Sequence, residues 1–212
     1  MLLKFVRCVV PMARRSAFTV AQEGWGRLKE AKGFHAQTGG WVDHRDTDAL
    51  IVSLWESQKH YDKFMKKLHG EITAENKQEE TYKEIEVHVL DLQIPFPSKA
   101  PTIKDAILDC GIVRFADCNV RSGRVDNFKK NQEEIWIPGM SACEGMLGGA
   151  YAASFEDPLH HFVLTFWDTV QSHQLYVRQA FTELAQRAQV SSDAHEVTGG
   201  TVQVSPGWRV GR

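Results

Sequence analysis

No run of about eighteen uncharged apolar residues occurs anywhere in this 212-residue sequence, so no segment is predicted to cross a membrane as a helix. Cysteine is scarce. The four present, Cys8, Cys110, Cys118 and Cys143, show no C-x-x-C spacing, which argues against a zinc ribbon, a redox dithiol or a disulfide scaffold. Charge of one sign is not in excess: 25 Lys and Arg against 27 Asp and Glu leave a net charge of −2. Without a basic field, nucleic acid and acidic membranes are not expected partners. Absent too are a phosphate loop, a G-x-G-x-x-G turn, a Ser-His-Asp signature and the H-E-x-x-H metal spacing, so neither a metal nor a nucleotide cofactor is expected. The apolar start, Met1 to Val10, is short. It is followed by Arg14-Arg15 without a small-residue cleavage site, so it is not read as a signal peptide, and the expected setting is reduced and cytoplasmic.

A repeat is what the sequence does contain. Ala49-Leu-Ile-Val-Ser-Leu-Trp55-Glu-Ser returns just over half a chain later as His161-Phe-Val-Leu-Thr-Phe-Trp167-Asp-Thr. Each is an apolar, β-branched run closed by a Trp, an acid and a hydroxyl residue, and each precedes an amphipathic segment. A period of half the chain length points to an internal duplication. Cys8 and Cys118 fall at matching places in the two copies, as symmetry-related, buried small hydrophobes would.

The copies also share their order of elements. Leu2 to Val10 alternates as a strand, with Phe5, Arg7 and Val9 on one face and Lys4, Val6, Cys8 and Val10 on the other. A helix is predicted over 13–32, with Phe18, Ala21, Trp25 and Leu28 at helical spacing and Gly33 as its stop. Two strands follow, 34–43 with Gly39-Gly40, and 49–55. Ser57 can then cap a helix whose apolar stripe is Tyr61, Phe64, Leu68 and Ile72. Tyr82 to Leu92 alternates as a fourth strand. Pro95, Pro97 and Pro101 mark residues 94–107 as a stiff linker, with a short helical turn from Thr102 to Leu108. In the second half, strands are expected over 112–120, 145–154, 160–167 and 201–204, and helices over 123–137, broken at Pro138-Gly139, and 169–188. Paired glycines, Gly39-Gly40 and Gly148-Gly149, predict a bulge or a close backbone approach.

Two βαββαβ units are therefore expected, over 1–93 and 108–212, each a ferredoxin-like fold with helices on one sheet face. The second sheet face must be buried elsewhere, and two such sheets set face to face would do so. The strand-end Trp-Glu-Ser or Trp-Asp-Thr before an amphipathic helix, within a βαββαβ unit, resembles the antibiotic-biosynthesis-monooxygenase family of the dimeric α/β-barrel superfamily. Both halves carry the pattern. The resemblance implies an α+β chain whose two tandem ferredoxin-like units form an intrachain dimeric α/β-barrel, as a monomeric pseudo-dimer or a homodimer. It also implies a cofactor-independent monooxygenase acting on a small aromatic or quinol-like ligand in an inter-sheet cavity. A non-catalytic small-ligand-binding or stress-response module and a purely structural pseudo-dimer stand as the other readings. In the family's haem-degrading branch the pattern is Asn on the first strand, then Trp and His along the second helix. Asn119 matches the first, Tyr176 and Phe64 fall at the Trp position, and Gln186 and Ala74 fall where the His would be.

Alternation sets Arg7 and Asp117 on the face expected to line the inter-sheet space, near Asn119. They stand either as a polar lining for an oxygenated ligand or as a structural ion pair with each other. Trp55 and Trp167 are cavity walls or packing residues. Of the histidines, His35 and His161 lie on predicted strands and are the cavity candidates, whereas His60, His69 and His173 fall on helices, where solvated positions are expected.

Overall fold

The computed structural model describes residues 1–211, so Arg212, the last residue of the expected second unit, lies outside them. The chain divides into two compact units, one holding residues 1–90 and 202–211, the other Asp91–Thr201. This division departs from an even split at a linker. Residues 94–107 do not form an irregular connection: they carry the end of a strand and most of a helix.

In the first unit, β1 (Leu2–Val9) is followed by a 3-10 turn and α1 (Arg15–Glu23), which tightens into 3-10 geometry over Gly24–Glu30. Next come β2 (Phe34–Val42), β3 (Asp48–Trp55), α2 (Gln58–Lys66), α3 (Leu68–Asn76) and β4 (Glu84–Pro97), which belongs to this unit as far as Leu90. β1 pairs with both β3 and β4, and β3 pairs with β2. That is the β4–β1–β3–β2 order of a ferredoxin-like unit. The end of β8 and the short β9 (Val210–Gly211) lie on β2. Trp208, from the predicted tail, is fully buried against Phe18 and Trp41, which explains why the last residues return to the first unit.

In the second unit, α4 (Ile103–Asp109) precedes β5 (Ile112–Val120), α5 (Val125–Asn131) and α6 (Ile137–Ser141), with a π turn at Gln132–Trp136 between the helices. β6 (Met146–Ser154) and β7 (His160–Trp167) follow. α7 (Val170–Tyr176) and α8 (Thr182–Ala188) flank a second π turn at Val177–Phe181, and α9 (Val190–Asp193) leads into β8 (Ala194–Val204). Pro138 does not break this helix. It sits in the first turn of α6, just past the wide π turn, where a missing N–H is tolerated. The two units repeat one register: Leu2 opposes Trp55 as Ile112 opposes Trp167, and Cys8 opposes Ala49 as Cys118 opposes His161.

The paired glycines serve close approach, while the register shifts fall earlier in each strand, at Phe34/Ala36 and Met146/Gly148. A Cβ on Gly40 would meet the Gln203 carbonyl oxygen, and one on Gly149 would lie 2.3 Å from the Phe96 ring. Leu2, Lys4, Val6 and Cys8 share their face with Trp55, Ser53, Ile51 and Ala49, and it is this face that packs under the helices. Ser57 and Thr169 cap α2 and α7 through their side chains, as the sequence allows.

Candidate functional site

The first unit encloses a cavity of about 310 Å³ between its own sheet and helices. Its origin is steric. The strands offer small side chains, Val6, Cys8 and Ser53, in the middle of the face, while Trp25, Trp55, Tyr61 and Phe64 hold the helices off at the margins. Trp55 is fully buried, meets Phe34, Tyr61 and Phe64 at 4.9–5.6 Å, and donates its indole N–H to Ser53 Oγ at 3.0 Å. Trp25 donates to Gln78 Oε1 at 2.7 Å, and Gln78 donates onward to Gln22 Oε1 at 2.8 Å, so one carboxamide relay fixes that wall.

Two titratable groups enter this aromatic enclosure. Lys4 is part-buried, with its ammonium 5.7 Å from the Tyr61 ring centroid, and it forms no ion pair among the described residues. Burial lowers its pKa to about 8, with Cys8 pulling the other way. His69, on α3, packs against Trp25 at 5.5 Å and Phe64 at 5.6 Å. Burial first, and the Lys4 charge second, push His69 below the ordinary histidine range, against a smaller opposing pull from Glu79. The cavity therefore presents a neutral imidazole and a cationic amine to whatever occupies it at neutral pH. Burial raises the Cys8 thiol to about 12, so that sulfur is inert, and raises Tyr61 to about 12.

The second unit holds a cavity of the same size at the repeat-equivalent place, lined by Arg114, Ala116, Cys118, Phe128, Gln132, Trp136 and Phe181 among others. Its walls are more apolar, and Arg114 stands where Lys4 does, 5.6 Å from the Phe181 ring. Burial raises Cys118 to about 12.

Both cavities lie on the helix side of a single unit's sheet, and most of the residues singled out from sequence fall outside them. Arg7 pairs with Asp48 at 3.2 Å and reaches Glu86 at 3.8 Å, whereas Asp117 meets His160 at 2.5 Å. Each side chain thus finds a diagonal cross-strand partner in its own unit, at matching places, and the expected Arg7–Asp117 pairing gives way to these. Asn119 is exposed on β5, and His35 sits part-buried at the β2 register shift, in neither cavity. His161 is buried, bonded to Tyr151 Oη at 2.8 Å and to the Pro158 carbonyl at 3.1 Å, a satisfied core histidine whose pKa burial lowers. Trp167 is a packing residue, satisfied by Thr165 at 3.0 Å, and the buried Tyr176 hydroxyl beside it has no hydrogen-bond partner among the described residues. Of the residues singled out from sequence as cavity candidates, Trp55 lines the first of these two cavities. Lys4 and His69 were the residues missed.

The profile of a domain of unknown function, DUF4937, matches residues 2–90. The uncharacterized protein YdbC of Bacillus subtilis strain 168 is 40% identical over 99 residues, which span 45% of this chain and 82% of YdbC. A proposed monooxygenase from Lactobacillus acidophilus NCFM has a similar structure, with a TM-score of 0.75 over 99% of this chain and 95% of its own, at 12% identity. Another, from Fusobacterium nucleatum, gives 0.77 over 96% and 91%, at 13% identity. The chain belongs to the family of YdbC. At such low identity the two structures speak for the fold alone, which is α+β and of the dimeric α/β-barrel class built from ferredoxin-like units. The 2–90 match in this YdbC-family chain covers every residue that lines the first cavity.

Proposed function

We propose that the first unit is a cofactor-independent monooxygenase for a small phenolic or quinol-like molecule, acting in a reduced, cytoplasmic setting. The observation that carries this reading is the presence together, inside an aromatic-walled cavity, of His69, whose pKa burial lowers, and Lys4, which forms no ion pair among the described residues. Trp25, Trp55, Tyr61 and Phe64 suit the faces of an aromatic ring. His69 accepts the phenolic proton, and the Lys4 ammonium stabilises the phenolate oxygen in a low-dielectric space. The phenolate is the electron source. It passes one electron to dioxygen, the two radicals combine at an unsubstituted ring carbon, and the resulting hydroperoxide loses water to leave a quinone. A phenol and dioxygen thus give a quinone and water, with no external reductant. Structural neighbours described as proposed monooxygenases support the reaction class, and the cavity supports the ligand class.

Oxygen uptake with a panel of hydroquinones and naphthols tests this. Uptake by the wild type that falls at least about a hundredfold in His69→Phe and in Lys4→Met, scaled to general-base and charge contributions, is the expected result. Saturable binding without uptake would favour the non-catalytic ligand-binding reading. No binding at all would end both.

A further inference from the structure

Besides Arg114 in the place of Lys4 and Phe181 in the place of His69, the second cavity differs from the first by the loss of one carboxamide. In the first unit Gln78 follows Lys77, whose backbone is left-handed at φ 49°, and it satisfies both Gln22 and Trp25. In the second unit the matching left-handed residue is Gln189, φ 45°, and the residue after it is Val190. Valine offers no polar atom. Gln132, the repeat equivalent of Gln22, is 3% exposed and faces the cavity with no side-chain hydrogen bond among the described residues. Trp136 is 8% exposed and lines the same cavity, and its indole N–H makes no hydrogen bond among the described residues. Its place corresponds to Trp25 once the extra residue of the π turn is counted. Arg114 completes the set, with no carboxylate partner among the described residues.

Three donors therefore line one largely apolar space: a guanidinium, an amide and an indole N–H. These donors open onto the cavity and make no hydrogen bond among the described residues, so their bonding capacity is free for an occupant that supplies acceptors. A single negative charge with two acceptor oxygens fits best, since a guanidinium binds a carboxylate with two bonds and leaves acceptor capacity for the other donors. Ala116, Phe128, Met140, Val163, Phe181 and Ala185 would enclose an uncharged hydrocarbon body. Both π turns lie in the covering helices, and they supply Gln132, Trp136 and Phe181.

We propose that the second unit's cavity binds an apolar carboxylic acid, its carboxylate held by Arg114, Gln132 and Trp136 in the place that Gln78 fills in the first unit. This site is separate from the proposed oxygenation site and does not depend on it.

The test titrates the full chain with 1-naphthoic acid and, separately, with 1-naphthalenemethanol, which keeps the rings and removes the charge. Binding is read by calorimetry and by the Trp136 indole N–H resonance. The acid should bind saturably, shift that resonance and exceed the alcohol by at least about tenfold. Arg114→Met should weaken the acid by a similar factor. Val190→Gln restores the relay of the first unit, so it should abolish binding while raising thermal stability, which keeps the test valid if Arg114→Met fails to fold. Equal affinity for acid and alcohol, acid binding unchanged in Val190→Gln, or no saturable binding into the millimolar range would each overturn the proposal.

Discussion

Replacing Lys4 by Met should make the protein more stable while removing its proposed activity. An ammonium at the sheet–helix boundary without a carboxylate partner costs folding free energy that a methionine of similar length does not. The size follows from the pKa. The folded state lowers Lys4 from 10.5 to about 8, a difference worth at most about 3 kcal/mol, and about 2 once the solvent reaching this part-buried chain is allowed for. The sign follows from proton counting. Between pH 8 and 10.5 the unfolded chain holds the Lys4 proton and the folded chain does not, so stability rises with pH across that window and the full penalty is present below it. Urea unfolding at pH 7 and at pH 10 measures both. Lys4→Met should gain about 2 kcal/mol at pH 7, with the gain shrinking towards pH 10. A variant less stable at pH 7, or a gain that does not change with pH, would mean that Lys4 is not a desolvated cation and would remove the electrostatic half of the proposed mechanism.

Four further outcomes are expected. Asp193 is 1% exposed and accepts from Arg124, Asn127 and Asn131 at 2.7–2.9 Å, so Asp193→Ala should cost about 3 kcal/mol, lowering Tm by roughly 6–12 °C by calorimetry. Arg7→Met should change stability by less than about 1 kcal/mol in denaturant titrations, because its ion pair with Asp48 leaves the Arg7 side chain 37% exposed. His161, with its pKa lowered by burial, should contribute acid sensitivity: stability falls as pH drops below about 6.5, and His161→Gln should reduce that slope. Oxygen uptake should fall as pH rises through about 8, where Lys4 loses its charge, and should also fall in acid as His69 protonates.

The framework of each unit was legible because alternation and helical spacing are local signals. Phe18, Trp25, Leu28, Tyr61, Phe64 and Ile72 are all buried, on the stripes the sequence draws. The site was not legible, for reasons that are also local. Lys67 leaves helical geometry at φ −127° and ψ −74°, which resets the helical phase between α2 and α3 and turns His69 inward. A stripe extrapolated through Leu68 sends His69 to solvent. Lys4 is on the helix-facing side that alternation gives it, whereas Arg7 and Asp117, expected to pair with each other, find their partners in Asp48 and His160 on the neighbouring strands. The linker was misread because prolines two apart remove donors from one strand edge only, so β4 continues through Pro95 and Pro97 while pairing with β6. The loss of a Gln78 equivalent at Val190 can be read in the aligned repeats, but its meaning needed the relay that Gln78 completes.

The central claim, that a substrate held by Lys4 and His69 reacts directly with dioxygen, is tested most directly by isotope labelling. Purified protein turning over a naphthol under ¹⁸O₂ should give a quinone carrying one labelled oxygen, with the second label in water and no label taken from H₂¹⁸O within the time of a turnover. The labelled product should be lost in His69→Phe. A quinone whose new oxygen comes from water, or one formed equally by wild type and His69→Phe, would contradict it.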